Sequence, residues 1–445
     1  MTCAKPATPR RNPTQIANSG SGARSRRINL ILILIRLLIS ACLASTSEAQ
    51  QQSFTWEQIR DKFEAANPTL LADKLNIDES KAQEITADLR PNPNLGLTLD
   101  QIDPFSGGPP HSTYGDLLTV ASASYLFERQ HKRGLRLESA QKATGIAVST
   151  HADLERTLLF SLRGAFVSCL QAKAVLQLAK DNLAYYDHVL DVSKERLNTG
   201  DIAQIDFDRL ELQRVQYESD AQTAAVNLRT ARIQLLTLLN DRTPVEQFDV
   251  TGLFDFNDQL LSLDEFRKIA LDTRPDLRAA VEAVDKAQTD HKLAVANGST
   301  DPTLGFDIGR NPPIDEYIGF SLSIPLRIFD RNQGEKLRTQ LDVSRNEKLR
   351  DAAEAQVLSD VDSGYATVQS TLILLRPYKA KYLQQSVRVR DTIFFAYQHG
   401  GASLLDFLNA ESDYRSVQLN YLNLVGSHLT AAAQLNMAVG REVVQ

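Results

Sequence analysis

The residue types that carry most protein chemistry are thinly spread in this chain. Its seven histidines, His111, His131, His151, His188, His291, His399 and His428, include no two at the spacing that puts metal ligands on one helix face. There is no HExxH, no phosphate-binding GxxxxGK and no GxSxG. Of three cysteines, only Cys169 lies beyond residue 42, so the body of the protein has no intramolecular disulfide. Cys169 reads as a small buried hydrophobe. These absences argue against an enzyme and against a bound metal or cofactor. Two carboxylates remain. Asp206 and Asp406 each follow a glycine, Gly200 and Gly400, by six residues. Gathered from several copies, such residues form an acidic ring that attracts cations. At a helix start, the same charge is simply favoured by the macrodipole. His399 could touch passing cations, whereas His428 reads as a packing residue.

The elements that must position these residues are long helices. From about Glu128 to Asn198 no proline occurs, and glycine appears only at Gly134, Gly145 and Gly164. A helix of about 70 residues is roughly 105 Å long, far beyond globular lengths. After Gly200, apolar positions Leu210, Tyr217, Ala221, Ala224, Leu228, Ala231, Leu235 and Leu238 follow. From Tyr217 they alternate four and three, the 3.5 period of coiled-coil packing. Phe407, Ala410, Tyr414, Val417, Tyr421, Leu424, His428, Ala431, Leu435 and Ala438 repeat the pattern.

The two segments are copies. Shifted by 200 residues, Gly200, Asp206, Phe207, Glu211, Thr230, Ala231, Gln234 and Leu235 fall on identical residues from Gly400 to Leu435. Pro93, Leu95 and Gly96 recur as Pro302, Leu304 and Gly305, and Phe127-Glu128-Arg129 recurs as Phe329-Asp330-Arg331. The chain is therefore an internal two-fold repeat. The first repeat is expected over 50–271, with a hairpin at about 93–127 and a long helix pair at about 128–240. The second is expected over 272–445, with a hairpin at about 302–329 and a helix pair at about 330–440.

Each repeat has one alternating stretch. Leu304, Phe306 and Ile308 oppose Gly305, Asp307 and Gly309; after Asn311-Pro312-Pro313, Ile318, Phe320, Leu322, Ile324 and Leu326 alternate through Tyr317–Leu326. In the first repeat, Leu95, Leu97 and Leu99 oppose Gly96, Thr98 and Asp100. A turn at Pro104–Pro110 then leads to a strand over Tyr114–Leu126. One apolar and one small or polar face suits a membrane barrel, with Leu304, Phe306, Ile318, Phe320 and Leu322 facing lipid; a two-sided soluble sheet would alternate in the same way, and strand number decides between them. Four strands cannot close a barrel, for which about eight is the minimum, and open edges are not tolerated in lipid. Three copies supply twelve strands.

The N-terminus is an export signal. Arg24, Arg26 and Arg27 precede an apolar run from Ile28 to Ala44. Ser47-Glu48-Ala49 permits cleavage after residue 49; alternatively, Ile39-Ser40-Ala41-Cys42 resembles a lipobox, making Cys42 a lipidation site and 1–41 the leader. A net charge of -6 gives no basic patch for nucleic acid.

Several motifs, taken in order, carry a resemblance. Ser323-Ile324-Pro325-Leu326 is followed by Phe329-Asp330-Arg331-Asn332-Gln333-Gly334; with it stand Asn67-Pro68, Pro91-Asn92-Pro93, Arg274-Pro275-Asp276-Leu277, and Tyr397-x-x-Gly400 with Leu405-Asp406-Phe407-Leu408. The chain resembles the TolC-like outer-membrane efflux proteins over nearly all its mature length, and within them the cobalt-zinc-cadmium branch. The resemblance implies a mainly α fold with a small β part: a trimeric twelve-stranded outer-membrane barrel, four strands per chain, continued by a periplasmic helical tunnel. It implies an equatorial region over Asp241–Arg267 plus the chain ends, and a homotrimer docked to a periplasmic adaptor and an inner-membrane RND-type pump. It implies a passive exit duct, for heavy-metal cations in that branch. Asp206, Asp406 and Tyr397 match gate positions by the helix turns at Gly200 and Gly400. Ala402 stands where some members carry an arginine lock, and Asn409 where some carry a second aspartate. A multidrug or secretion duct is the rival within channels; a soluble periplasmic coiled-coil scaffold or adaptor is the rival of another class.

Overall fold

In the computed structural model the described residues are 52–102, 117–311 and 314–444. The expected leader, Cys42, the Pro104–Pro110 turn and Pro312-Pro313 lie outside them. In chain order, β1 (Gln52–Phe54) precedes α1 (Trp56–Ala66), α2 (Pro68–Asp88), β2 (Asn94–Asp100), β3 (Leu118–Leu126), α3 (Lys132–Thr199) and α4 (Gln204–Leu238). Then come β4 (Phe248–Val250), α5 (Leu263–Thr273), α6 (Pro275–Asn297), β5 (Thr303–Asn311) and β6 (Ile314–Ser323). Last are α7 (Gln333–Pro377), α8 (Leu383–Gln398) and α9 (Leu404–Val439).

The two-fold repeat is carried down to the capping chemistry. Helices α1 and α5 both have 11 residues and both open with a reciprocal capping box, Thr55 with Gln58 and Ser262 with Glu265. Both stop one residue before an X-Pro step, at Asn67-Pro68 and Arg274-Pro275, where proline occupies the first turn of the next helix. Ser262 therefore holds in the second half the place that Thr55 holds in the first, ten residues before 272. Arg274 is buried; it pairs with Asp276, with Asp360 of α7 at 2.8 Å, and with the Ala438 carbonyl of α9 at 3.1 Å. One arginine thus fixes the start of α6 to two other helices.

The four hairpin strands form one antiparallel sheet in the order β2-β3-β5-β6, leaving β2 and β6 as edges. Leu304 pairs with Leu322, Phe306 with Phe320 and Ile308 with Ile318, so their side chains form one exposed apolar face. The opposite face has its own rule. Gly96 pairs with Ser122, Gly305 with Ser321, Asp307 with Gly319 and Gly309 with Tyr317. In each of these pairs a polar side chain lies over a glycine: a Cβ on Gly305 would sit 2.3 Å from Ser321 Oγ, and one on Gly319 2.4 Å from an Asp307 oxygen. Small residues keep that face uncrowded, as the concave side of a curved sheet requires. The last strand runs Ile314–Ser323, three residues earlier than the expected Tyr317–Leu326 at both ends. Pro325 has no N–H to give a neighbouring strand, so the apolar alternation at Ile324 and Leu326 continues beyond the sheet.

Helix α3 has 68 residues and packs along α4, α6 and α2. Part of it is apolar enough to cross a membrane by length and composition alone. The expected seam is buried at Leu210, Tyr217, Ala224, Leu228, Ala231 and Leu235, and at Phe407, Ala410, His428, Ala431, Leu435 and Ala438. The second long helix is not continuous. Pro377 ends α7 and the next five residues, Tyr378–Tyr382, form a π turn before α8. The segment after β4 grips this turn through Lys379–Asp255 (2.6 Å) and Arg376–Asp258 (2.7 Å).

Beside it, His428 is fully buried; its Nδ1 meets Thr371 Oγ1 at 2.9 Å, while Nε2 has no partner among the described residues. It is a packing residue, but only half satisfied. The two ends of the described chain also pack on neighbouring segments: β1 pairs with β4, Phe54 stacks on Phe248 and Trp56 Nε1 donates to Glu442.

Candidate functional site: the helix-turn tip

Both long helices reverse at a glycine in the left-handed region, Gly200 at φ 84° and Gly400 at φ 76°. Only glycine adopts this conformation without cost, so it ends one helix and frees the chain to return. The returning helices α4 and α9 place Asp206 and Asp406 at the same third position of the first turn. Their surroundings differ. The residue capping α9 is Ser403, whose hydroxyl donates to Asp406 Oδ2 at 2.7 Å while the Ser403 N–H donates to the same oxygen at 3.0 Å. These bonds hold the Asp406 carboxyl below the usual carboxylate range. The residue capping α4 is Ala203, which has no side-chain oxygen, and Asp206 is left with a loose 3.8 Å approach from Arg209. Asp406 is a capping carboxylate; Asp206 is the freer one.

Tyr397, matched to a gating aromatic, is buried within the chain and does not project into open space. Its ring stacks on Phe407 at 5.4 Å, and the Arg196 guanidinium covers it at 5.0 Å while donating to its carbonyl at 3.1 Å. Ala402, at the arginine-lock position, packs on the same cluster with Tyr186, Val189, Leu210, Tyr217 and Phe407. The apolar environment raises the Tyr397 hydroxyl above its ordinary range. His399 is exposed and bonds back to the Phe395 carbonyl.

Sequence reasoning missed a polar group just above this cluster. Glu411 is almost fully buried between α4 and α9, beside Tyr217 and near Arg390, and burial raises its carboxyl to about 7. The one sequence signal was its repetition as Glu211, which is exposed. Next to it, Arg415 bridges α9 to Asp220 of α4 at 2.8 Å and lies over the Tyr217 ring at 4.5 Å. Among the described residues, no group of three His, Cys, Asp or Glu side chains converges as a metal site.

A strand sheet with one apolar and one small-residue face, joined to helices of this length, defines the class of barrel-and-tunnel channels. The family model described as outer membrane efflux protein matches residues 59–241 and 267–441, and the chain belongs to that family. It is 22% identical over 383 residues to the cobalt-zinc-cadmium resistance protein CzcC of Cupriavidus metallidurans, covering 84% of this chain and 87% of that one. It is likewise 22% identical over 438 residues to outer membrane protein TolC of Escherichia coli, covering 92% and 86%. Its fold matches the crystal structure of CusC with a TM-score of 0.72 at 18% identity, covering 87% and 92%. It also matches the open-state MtrE channel of Neisseria gonorrhoeae with a TM-score of 0.68 at 19% identity, covering 87% and 89%. The chain is an outer-membrane efflux channel with the barrel-and-tunnel fold.

Proposed function

We propose that three copies of this chain close one twelve-stranded barrel and serve as the passive exit duct of a tripartite pump, delivering heavy-metal cations received from an adaptor and an inner-membrane transporter. The observation that carries the assembly is the open four-stranded sheet: its apolar face fits lipid, and its free edges at β2 and β6 need partners. The likeness to a cobalt-zinc-cadmium resistance protein supports the cargo. Gly200 and Gly400 form the tip. Asp206 serves as its free carboxylate, Asp406 supports it from a helix cap, and Tyr397 braces it from within. A multidrug or secretion duct would share this architecture, because the conduit does not choose what enters it. A mass measurement in detergent is expected to give three chains; a stable monomer would overturn the assembly. In a host lacking its own metal-efflux duct, the chain together with its cognate pump should restore tolerance to cobalt, zinc or cadmium. Restored tolerance to organic toxins alone would assign the multidrug reading.

A further inference from the structure

Glu411 lies on α9, five residues above Asp406, where the coil formed by α3 and α4 meets the coil formed by α8 and α9. It is 2% exposed. Its Oε2 has only a long 3.5 Å contact with the Tyr217 hydroxyl of α4, and Oε1 has no hydrogen bond among the described residues. The nearest cation, Arg390 of α8, stays 4.0 Å from Oε1. Arg390 is engaged elsewhere: its guanidinium is held between the rings of Tyr185 (4.4 Å) and Tyr414 (4.1 Å) and pairs with Asp391 at 2.9 Å. Arg415 is committed to Asp220. The charged and titratable groups around the site are therefore Tyr185 and Tyr186 on α3, Tyr217 and Asp220 on α4, Arg390 and Asp391 on α8, and Tyr414 and Arg415 on α9. None of them supplies the hydrogen bonds that a buried carboxylate requires.

We propose that Glu411 is a proton-binding positioning residue at the tip: protonated, it lets the two coils close on one another, and ionised, it loosens the seam between them. This deepens the channel reading and rests on it. A neutral carboxyl fits the dry, aromatic surroundings. On losing its proton to bulk water, the carboxylate must draw in solvent or pull Arg390 away from Tyr185 and Tyr414. Entering solvent parts Glu411 from Tyr217 of α4, and a shifted Arg390 gives up its packing on α3 and α9, so either change loosens the seam. The burial that raises Glu411 to about 7 puts this transition at neutral pH.

The test uses the purified full-length protein in detergent. Amide hydrogen exchange, corrected for the intrinsic effect of pH, is measured on peptides of α4, α8 and α9 near the tip at pH 6 and pH 8. The wild type should lose protection at least tenfold between them, while Glu411→Gln, neutral at both, should keep it. His399→Gln should behave like the wild type, which separates Glu411 from the exposed histidine. Equal protection in the wild type and Glu411→Gln at both pH values overturns the proposal. Conductance in planar bilayers is read in parallel. A wild type that exchanges as expected but never conducts would count against the channel reading alone.

Discussion

Replacing Phe320 with arginine tests the membrane face most directly. Phe320 is 85% exposed on the single chain and lies across from Phe306, ring centroids 5.5 Å apart. If the face meets lipid, an arginine there costs about 2–4 kcal/mol near the midplane. Losing the aromatic pair adds roughly 0.5–1.5 kcal/mol. The total is about 2.5–5.5 kcal/mol per chain, and an assembly of three would feel it in every copy. The assay is refolding into phospholipid vesicles across a urea series, read as the fraction of folded protein on unheated gels. Phe320→Arg should shift the midpoint far toward low urea or abolish folding. Ser321→Asn, on the opposite face, should remain close to the wild type. Equal midpoints for Phe320→Arg and the wild type would show that this face meets water or protein, and would refute the reasoning. Equal failure of both variants would also refute it, since the two faces would then not differ.

The two tip carboxylates should separate on mutation. Asp206→Asn should lower cation selectivity in single-channel recordings. Asp406→Asn should mainly weaken the start of α9 by loosening its cap, seen as faster local hydrogen exchange. Arg274→Met leaves Asp276 and Asp360 without their buried partner and should destabilise the protein by about 3–5 kcal/mol in urea unfolding. Leu435→Ala empties a fully buried seam position and should cost about 2–5 kcal/mol in the same assay. Glu411 also makes stability depend on pH. Its folded pKa is raised, so the folded state holds the proton more tightly, and stability falls as pH rises from about 4.5 to about 7. At roughly 1.4 kcal/mol per tenfold change this is about 3 kcal/mol per chain, and Glu411→Gln should flatten that part of the profile.

The features legible in the sequence were those that repeat. The seam of Leu228, Leu235, Ala431 and Leu435 shows a coiled-coil period because coiled-coil packing buries those positions. The alternation at Leu304–Ile308 and Ile318–Leu322 shows the strands because a pleat has period two. What the sequence did not disclose depends on contacts between distant segments. Tyr397 is buried because Arg196, 201 residues earlier, closes over it. Glu411 is buried where exposed Glu211 is not, since its neighbours Tyr217 and Arg390 come from other helices. The π turn after Pro377 has no counterpart in α3, so the repeat gave no warning of it. The difference between Asp206 and Asp406 was within reach. It follows from Ala203 standing where the other half has Ser403.

The free edges of β2 and β6 also govern how the protein reaches its membrane. A single chain entering lipid would carry two rows of backbone N–H and C=O groups with no water to bond them, at several kcal/mol for each group. In the proposed trimer, three chains must meet before or during insertion, and the rate of arrival should rise steeply with the amount of secreted chain. Until they meet, the same edges are open to mispairing. A slow supply of chain, or a holdase that covers the edges in transit, would then determine yield more than the stability of the finished channel.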